Sequence, residues 1–201
     1  MSELLWHNGL VTLPRDYANE VCSAARTLEI VGERWTLLIV RDAVYGVRRF
    51  SDFAVHLQVP RAVLAERLGT LVDAAILERV PGPSGRDEYE LTAKGVALWP
   101  VVRSLMAWGD EFYGRPGGPR RLFLHAADEG RLDGDGICAE CGQLVPVPDI
   151  LMLPGTDGSA SAGAGEGEGD GSGTNPVTQA LDVPRRLLDP LVVPSGRSAK
   201  Q

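Results

Sequence analysis

Apolar positions along the first 114 residues switch between two periods, and each switch marks an element. Val21, Ala24, Ala25, Leu28 and Val31 fall on one face of a helix that Asp16 begins as N-cap and Gly32 ends. The apolar run "RWTLLIVRDAVY" predicts a second helix, stopped by Gly46. A short third helix, capped by Ser51, carries Phe53, Ala54 and Leu57 inward. Pro60 suits the first turn of a fourth helix, where its missing N–H has no partner to lose. There Val63, Leu64, Leu68, Leu71 and Val72 form a buried stripe, leaving Arg61, Ala62, Ala65, Glu66 and Gly69 on the other faces. The period then drops to two: "ILERV" and "DEYEL" read as strands joined by the turn "PGPSGR". Thr92 caps a long final helix through Tyr113, kinked at Pro100. Four helices, a hairpin and a helix, in that order, predict a mainly α winged helix-turn-helix with a small β-hairpin wing.

The pattern changes after Gly114. The segment "RPGGPRR" reads as a linker, and "RLFLHA" and "QLVPV" read as strands on either side of "CAEC". From Pro154 comes "GTDGSASAGAGEGEGDGSGT", whose side chains are too small and polar to offset the entropy of ordering. The expected division is therefore a winged domain at 1–114, a short β-rich hairpin appendage at 115–153, and a mostly disordered tail at 154–201. The end of that tail, with apolar residues among several prolines, supplies at most a short docked segment.

Charge alters this picture locally. The chain carries a formal net charge of −7, which argues against indiscriminate binding to nucleic acid. Between Arg48 and Arg86, however, six arginines face four acids, and charges beyond about 8–10 Å are largely screened at physiological salt. Three cysteines do not make a secreted disulfide framework. The N-terminus lacks a basic n-region, and no run approaches the roughly 20 apolar residues of a membrane span. A cytoplasmic protein that does not engage membranes is expected.

The ordered blocks Cys22, "LEIVGERWTLLIVRDAVYG", "RRFSDF", "LVDAAILER", "DEYELTAKG" and "WPVVRSLMAWG" together resemble the HxlR family of bacterial winged-helix transcriptional regulators. The likeness spans residues 22–109. The winged domain alone is shared with MarR-type regulators, and "RWTLLIVRD" is the block that points to HxlR. The resemblance implies transcription regulation by a homodimer, held by its N- and C-terminal helices on a pseudo-palindromic operator in double-stranded DNA. Three positions depart from the family pattern: Pro60 replaces a Ser or Thr cap, Ala62 a frequent Arg, and Ala75 a small glycine before the wing.

On this reading the fourth helix enters the major groove by its N-terminal end. Arg61 is the candidate base reader, because a guanidinium pairs bidentately with guanine. Ala62 and Ala65 suit thymine methyls. Arg67 suits a phosphate or an intrahelical partner, with a solvated arginine an equal alternative. Arg48 and Arg49 suit backbone phosphates, and Arg86, in the wing, suits the minor groove or the adjacent backbone. Trp35, Leu37, Leu38, Phe50, Phe53, Leu57 and Tyr89 are assigned to the core. Trp99 and Trp108 are either dimer anchors or core. At Cys22 the resemblance implies an oxidant- or electrophile-sensing thiol, against the plainer role of a small apolar residue.

Cys138 and Cys141, followed by Gly142, make half of a zinc knuckle, and structural zinc takes four ligands. His125 is a possible third. Relatives with such an extension carry H-x-x-C-G where this chain has "HAADEG", which puts Asp128 in the cysteine's place as a weak ligand. The sequence favours a degenerate or weakly binding site over intact zinc. No nucleophile–base set, phosphate-cradling loop or metalloprotease helix points to an enzyme. Two other functions stay open: a winged protein-interaction module without DNA binding, and a thiol-redox-responsive regulator switched by Cys22. A dithiol oxidoreductase lacks the strand–helix setting of that chemistry.

Overall fold

In the computed structural model, residues 17, 22–83, 85–155 and 175–193 are described. Helix α1 (Ser23–Val31) belongs to an N-terminal unit ending at Glu33. The expected cap Asp16 and the first apolar position Val21 lie outside the described residues. From Arg34 onward the chain forms a second unit.

That unit is built around α2 (Thr36–Val44), which buries Thr36, Ile39, Val40, Asp42, Ala43 and Val44. The helix ends where Gly46 adopts a φ of +91°, a left-handed conformation open to glycine. A Cβ at Gly46 would also lie 1.8 Å from the Asp189 carbonyl oxygen, so the C-terminal segment packs directly on this turn. Helix α3 (Phe50–Leu57) buries Phe53 and Leu57. It starts one residue before the expected cap: Arg49 is the N-cap, and the Ser51 hydroxyl points to Asp52 instead. Gln58, at φ +51°, turns the chain through buried Val59 to Pro60, the N-cap of α4 (Arg61–Asp73). Leu64, Leu68 and Leu71 are fully buried on α4, as the stripe requires. Val63 and Val72 flank it half-buried.

Strands β1 (Leu77–Pro81) and β2 (Asp87–Leu91) pair antiparallel in the register Leu77↔Leu91 and Arg79↔Tyr89. The Thr92 side chain then accepts a hydrogen bond from the Gly95 amide, capping α5 (Ala93–Val96). Here the structure departs from the expected single kinked helix. The chain breaks, and α6 (Trp99–Phe112) restarts with Pro100 in its first turn, where a proline needs no amide partner.

The second sheet also differs from expectation. Strand β3 (Arg121–His125) pairs with β4 (Ile150–Pro154), not with "QLVPV". Pro146 and Pro148 remove two backbone donors from that stretch, which makes only an isolated bridge, Ile137↔Leu144. The uninterrupted apolar run "ILML" takes the ladder instead. The third strand, β5 (Arg185–Arg186), comes from the predicted tail. Within the tail, residues 156–174 and 194–201 lie outside the described residues. Residues 175–193 are folded: α7 (Pro176–Leu181) buries Val177 and Leu181, and Leu187 is buried beyond it. The Leu188 and Leu191 amides donate to the carbonyls of Val44 and Gly46, each at 2.8 Å.

"RPGGPRR" is less of a free linker than its composition predicts, because Arg121 is buried and pairs with Asp182 at 2.7 Å. The sheet rests on α6 through Phe123, which meets Trp99 edge-on at 5.2 Å and lies under the Arg103 guanidinium at 5.1 Å. Trp99 is thus a core residue, whereas Trp108 is 54% exposed. The core assignment needs one further correction. Phasing Ile39, Val40, Ala43 and Val44 inward turns Leu38 outward, and Trp35, Leu37, Phe50 and Tyr89 are only half-buried.

Ala75, which departs from the resembled family pattern, has a φ of +53°. A side chain there costs about 1–2 kcal/mol, and glycine's greater freedom in the unfolded chain returns part of that. Ala75→Gly is expected to stabilise the protein by about 0.5–1 kcal/mol, read as a higher urea midpoint at constant slope. A midpoint that stays put or falls would show that the conformation carries no penalty.

Candidate nucleic-acid interface and metal-ligand cluster

The α3–turn–α4 arrangement fixes which side chains stand outside the core. Arg61, Ala62, Ala65 and Glu66 are exposed on α4, beginning at its N-terminal end. The Arg61 guanidinium lies 5.8 Å from the centre of the Phe50 ring, a cation–π contact that steadies it. No carboxylate pairs with Arg61 among the described residues. Arg86 is exposed at the tip of the wing, where its carbonyl accepts from the Gly82 amide at 2.9 Å.

The remaining arginines are more committed than their sequence positions indicate. Arg48 forms an ion pair with Glu90, and Arg49 pairs with Glu88 at 3.0 Å. Both partners sit on β2, and the Tyr89 amide between them donates to the Arg48 carbonyl at 2.8 Å. The two arginines therefore fasten the start of α3 to the wing. Glu90 stands directly opposite Glu78 in the hairpin, a like-charge pairing that Arg48 relieves. Arg67 is half-buried and pairs with Glu66 at 3.5 Å. One basic residue was missed from sequence: Arg79, exposed on β1, lies over the Tyr89 ring at 5.9 Å. Its signal was the register that places Arg79 across from Tyr89.

At the other end of the chain, the structure brings the four sequence-predicted ligands together. The ligand atoms of His125, Asp128, Cys138 and Cys141 all lie within 4.8 Å of one another. His125 ends β3, Asp128 follows in the next turn, and the cysteines flank a tight turn closed by the Gly142 amide donating to the Cys138 carbonyl at 2.9 Å. Gly142, at φ +70°, permits that turn. The Gly130 amide holds the Asp128 carboxyl down at about 2, with smaller contributions from the two thiols and His125. At Cys141 the Gln143 amide favours the thiolate. Desolvation, the Cys138 thiol and the Asp128 carboxylate outweigh it and push the thiol up.

Cys22, in the N-terminal unit, is an exposed N-cap of α1. Its side chain makes no cap hydrogen bond, but the nearby backbone amides of Ala25 and Ala24 hold the thiol below its ordinary range. This is the helix-terminus setting that favours thiolate. The neighbouring Glu20 lies outside the described residues.

Residues 30–116 match the family model described as HxlR-like helix-turn-helix. The chain is 43% identical over 135 residues to an uncharacterized HTH-type transcriptional regulator of Mycobacterium tuberculosis, covering 66% of this chain and 85% of that protein. It is 34% identical over 98 residues to the uncharacterized HTH-type transcriptional regulator YvaP of Bacillus subtilis, covering 47% and 91% respectively. Among solved structures, the reduced form of the transcriptional regulator YodB from B. subtilis is 32% identical, with a TM-score of 0.40, covering 46% of this chain and 95% of that one.

The Cys22 thiol should accordingly alkylate with a half-maximal pH below that of the same cysteine in denatured protein. Mass spectrometry of the Cys22 peptide after iodoacetamide pulses across pH reads this directly. Coincident native and denatured profiles would remove the helix-terminus effect.

Proposed function

We propose, since the chain belongs to the HxlR-like helix-turn-helix family of transcriptional regulators, that it acts as a homodimer reading a pseudo-palindromic operator with α4. Family membership makes it a regulator rather than an enzyme. The observation that carries the finer reading is the exposed N-terminal end of α4, where Arg61 stands clear of any carboxylate among the described residues beside Ala62 and Ala65. A guanidinium there can reach guanine O6 and N7, and the two small side chains leave room for thymine methyls. Arg86 at the wing tip supplies a backbone or minor-groove contact.

The ion pairs made by Arg48 and Arg49 set the energetic terms. To grip phosphates these arginines must leave or share the carboxylates of Glu90 and Glu88. Affinity from the α3 side is thereby held down, and more of the discrimination falls to Arg61. Global acidity acts against nonspecific binding in the same direction.

Dimerisation is supported by α6. Val101, Leu105, Trp108 and Phe112 are exposed at helical spacing, and Trp108 packs with Phe112 and Tyr113 at ring distances of 5.3 Å. A Trp-centred apolar stripe of this kind suits burial against a second copy. A second reading, thiol-responsive regulation through Cys22, is favoured by the lowered thiol at the exposed α1 cap. Oxidation there would alter the end of a helix that the family resemblance assigns to the dimer contact.

Two measurements test these assignments. In gel-shift titrations on the protein's own upstream DNA with nonspecific competitor, Arg61→Ala should lower operator affinity by about 10- to 100-fold and relax base preference, the range of one lost bidentate contact. The Glu88→Gln, Glu90→Gln double variant should instead bind all sequences more tightly, with a salt slope steeper by about one to two per monomer. Undiminished operator preference in Arg61→Ala would reject α4 as the reader, and absence of binding by the wild type at any salt would favour the protein-interaction module. For the dimer, light scattering should show a two-chain mass that Trp108→Asp reduces to one. A wild-type monomer at micromolar concentration would reject this interface.

A further inference from the structure

We propose that His125, Asp128, Cys138 and Cys141 form a structural zinc site that clamps the second sheet. The distances carry it. Zinc–sulfur bonds of about 2.3 Å and zinc–nitrogen or –oxygen bonds of about 2.0–2.2 Å, set tetrahedrally, imply ligand–ligand edges of about 3.3–3.8 Å. The Cys141 sulfur lies 3.6 Å from His125 Nδ1, the Cys138 sulfur 3.3 Å from Asp128 Oδ1, and His125 Nδ1 3.1 Å from the same oxygen. These are edges of such a tetrahedron, drawn in slightly. Each contact is also within hydrogen-bonding range, but pairwise hydrogen bonds do not require all four donor atoms to gather within 4.8 Å of one another, as a shared ion does.

The surroundings fit a built site. A Cβ on Gly130 would lie 2.2 Å from the Cys138 sulfur, so the turn after Asp128 leaves room for that sulfur only because the residue is glycine. The Gly130 amide donates to Asp128 Oδ1 at 3.0 Å and orients the carboxylate, as outer hydrogen bonds do for metal ligands. Cys138 is buried, whereas Cys141 is exposed, which gives the ion an entry path. Two thiolates, an imidazole and a carboxylate form a donor set that suits zinc and disfavours calcium or magnesium. Binding releases the two thiol protons and leaves the site with one net negative charge.

The ion joins three pieces otherwise linked by isolated bridges and single backbone hydrogen bonds: the end of β3, the turn through Asp128, and the cysteine turn. Residues 126–149 between β3 and β4 contain one short 3-10 turn and isolated bridges. A cross-link there replaces the core that so short a segment lacks.

Metal analysis of the full-length protein, purified under reducing conditions, should find about one zinc per chain. Cobalt substitution should give the visible bands of a tetrahedral centre and near-ultraviolet thiolate-to-cobalt charge transfer. Cys141→Ser and Asp128→Ala should each weaken zinc binding in chelator competition, by at least the about 10-fold that a lost outer partner alone costs, and Cys141→Ser should diminish the charge transfer. Chelation should increase proteolysis within residues 126–149 while the helical circular dichroism of the winged domain persists. Zinc below about one-tenth of an equivalent after incubation of reduced protein with the metal, against the full equivalent of a structural site, would overturn the proposal. So would unchanged zinc affinity in Cys141→Ser, or cobalt spectra without thiolate charge transfer. Retention of the dichroism in both variants excludes general misfolding as the cause of metal loss.

Discussion

The Asp42 carboxylate, fully buried on α2, is the constraint around which the second unit is arranged. Its Oδ1 accepts from the Arg41 guanidinium at 2.7 and 3.0 Å, and its Oδ2 lies 2.6 Å from His56 Nδ1. A buried carboxylate without partners costs several kcal/mol, so α2 and α3 cannot slide or rotate independently without abandoning one of these contacts. His56 sits in the last turn of α3, immediately before the turn that launches α4. Apolar packing of Phe53 and Leu57 supplies most of the stabilisation, but it tolerates small shifts. The directional contact at His56 ties the last turn of α3 to α2.

The same helix controls the other side of the unit. Tyr45, following α2, is buried, and burial pushes its hydroxyl up to about 12. Its ring faces Phe123 of the second sheet at 6.4 Å, and the Arg41 guanidinium lies 5.9 Å from its centre. One residue later, Gly46 receives the C-terminal segment through its carbonyl and through the space its missing side chain leaves. Asn175 adds a contact to α3, its side-chain amide donating to the Val55 carbonyl at 2.7 Å. One short helix thus orders α3 and α4 on one flank and the added sheet on the other.

Legibility from sequence followed the range of the interactions involved. Elements α2 to α4 and the hairpin were visible because each is set by local periodicity and by its own stop, such as Gly46 or the "PGPSGR" turn. Choices made across the chain were hidden. That β3 pairs with "ILMLP" depends on competition between two candidate partners, decided by prolines in the loser. That the C-terminal segment docks depends on the carbonyls of Val44 and Gly46, more than a hundred positions before the Leu188 and Leu191 amides that donate to them. Arg48 and Arg49 looked like phosphate ligands because nothing local shows that β2 folds back to present Glu88 and Glu90. The metal-ligand residues were legible one by one, the cysteines from "CAEC" and Asp128 from its place in "HAADEG", while the convergence of their donor atoms was not, because it depends on the turn at Gly130.

The additions to the winged domain leave two surfaces uncovered, and that is informative. The second sheet and C-terminal segment make contact at Val44, Gly46, Val55, Trp99 and Arg103. Arg61, Ala62, Ala65 and Arg86 stay exposed, as do Leu105, Trp108 and Phe112 on α6. Along α6 the division is sharp: Trp99, Val102 and Arg103 are buried by the core and the sheet, while the next turns turn their aromatics to solvent. An appendage that served only to cover apolar surface would have extended over Trp108 and Phe112, the largest exposed apolar side chains on that helix. The N-terminal end of α4 and the outer stripe of α6 are instead left exposed together.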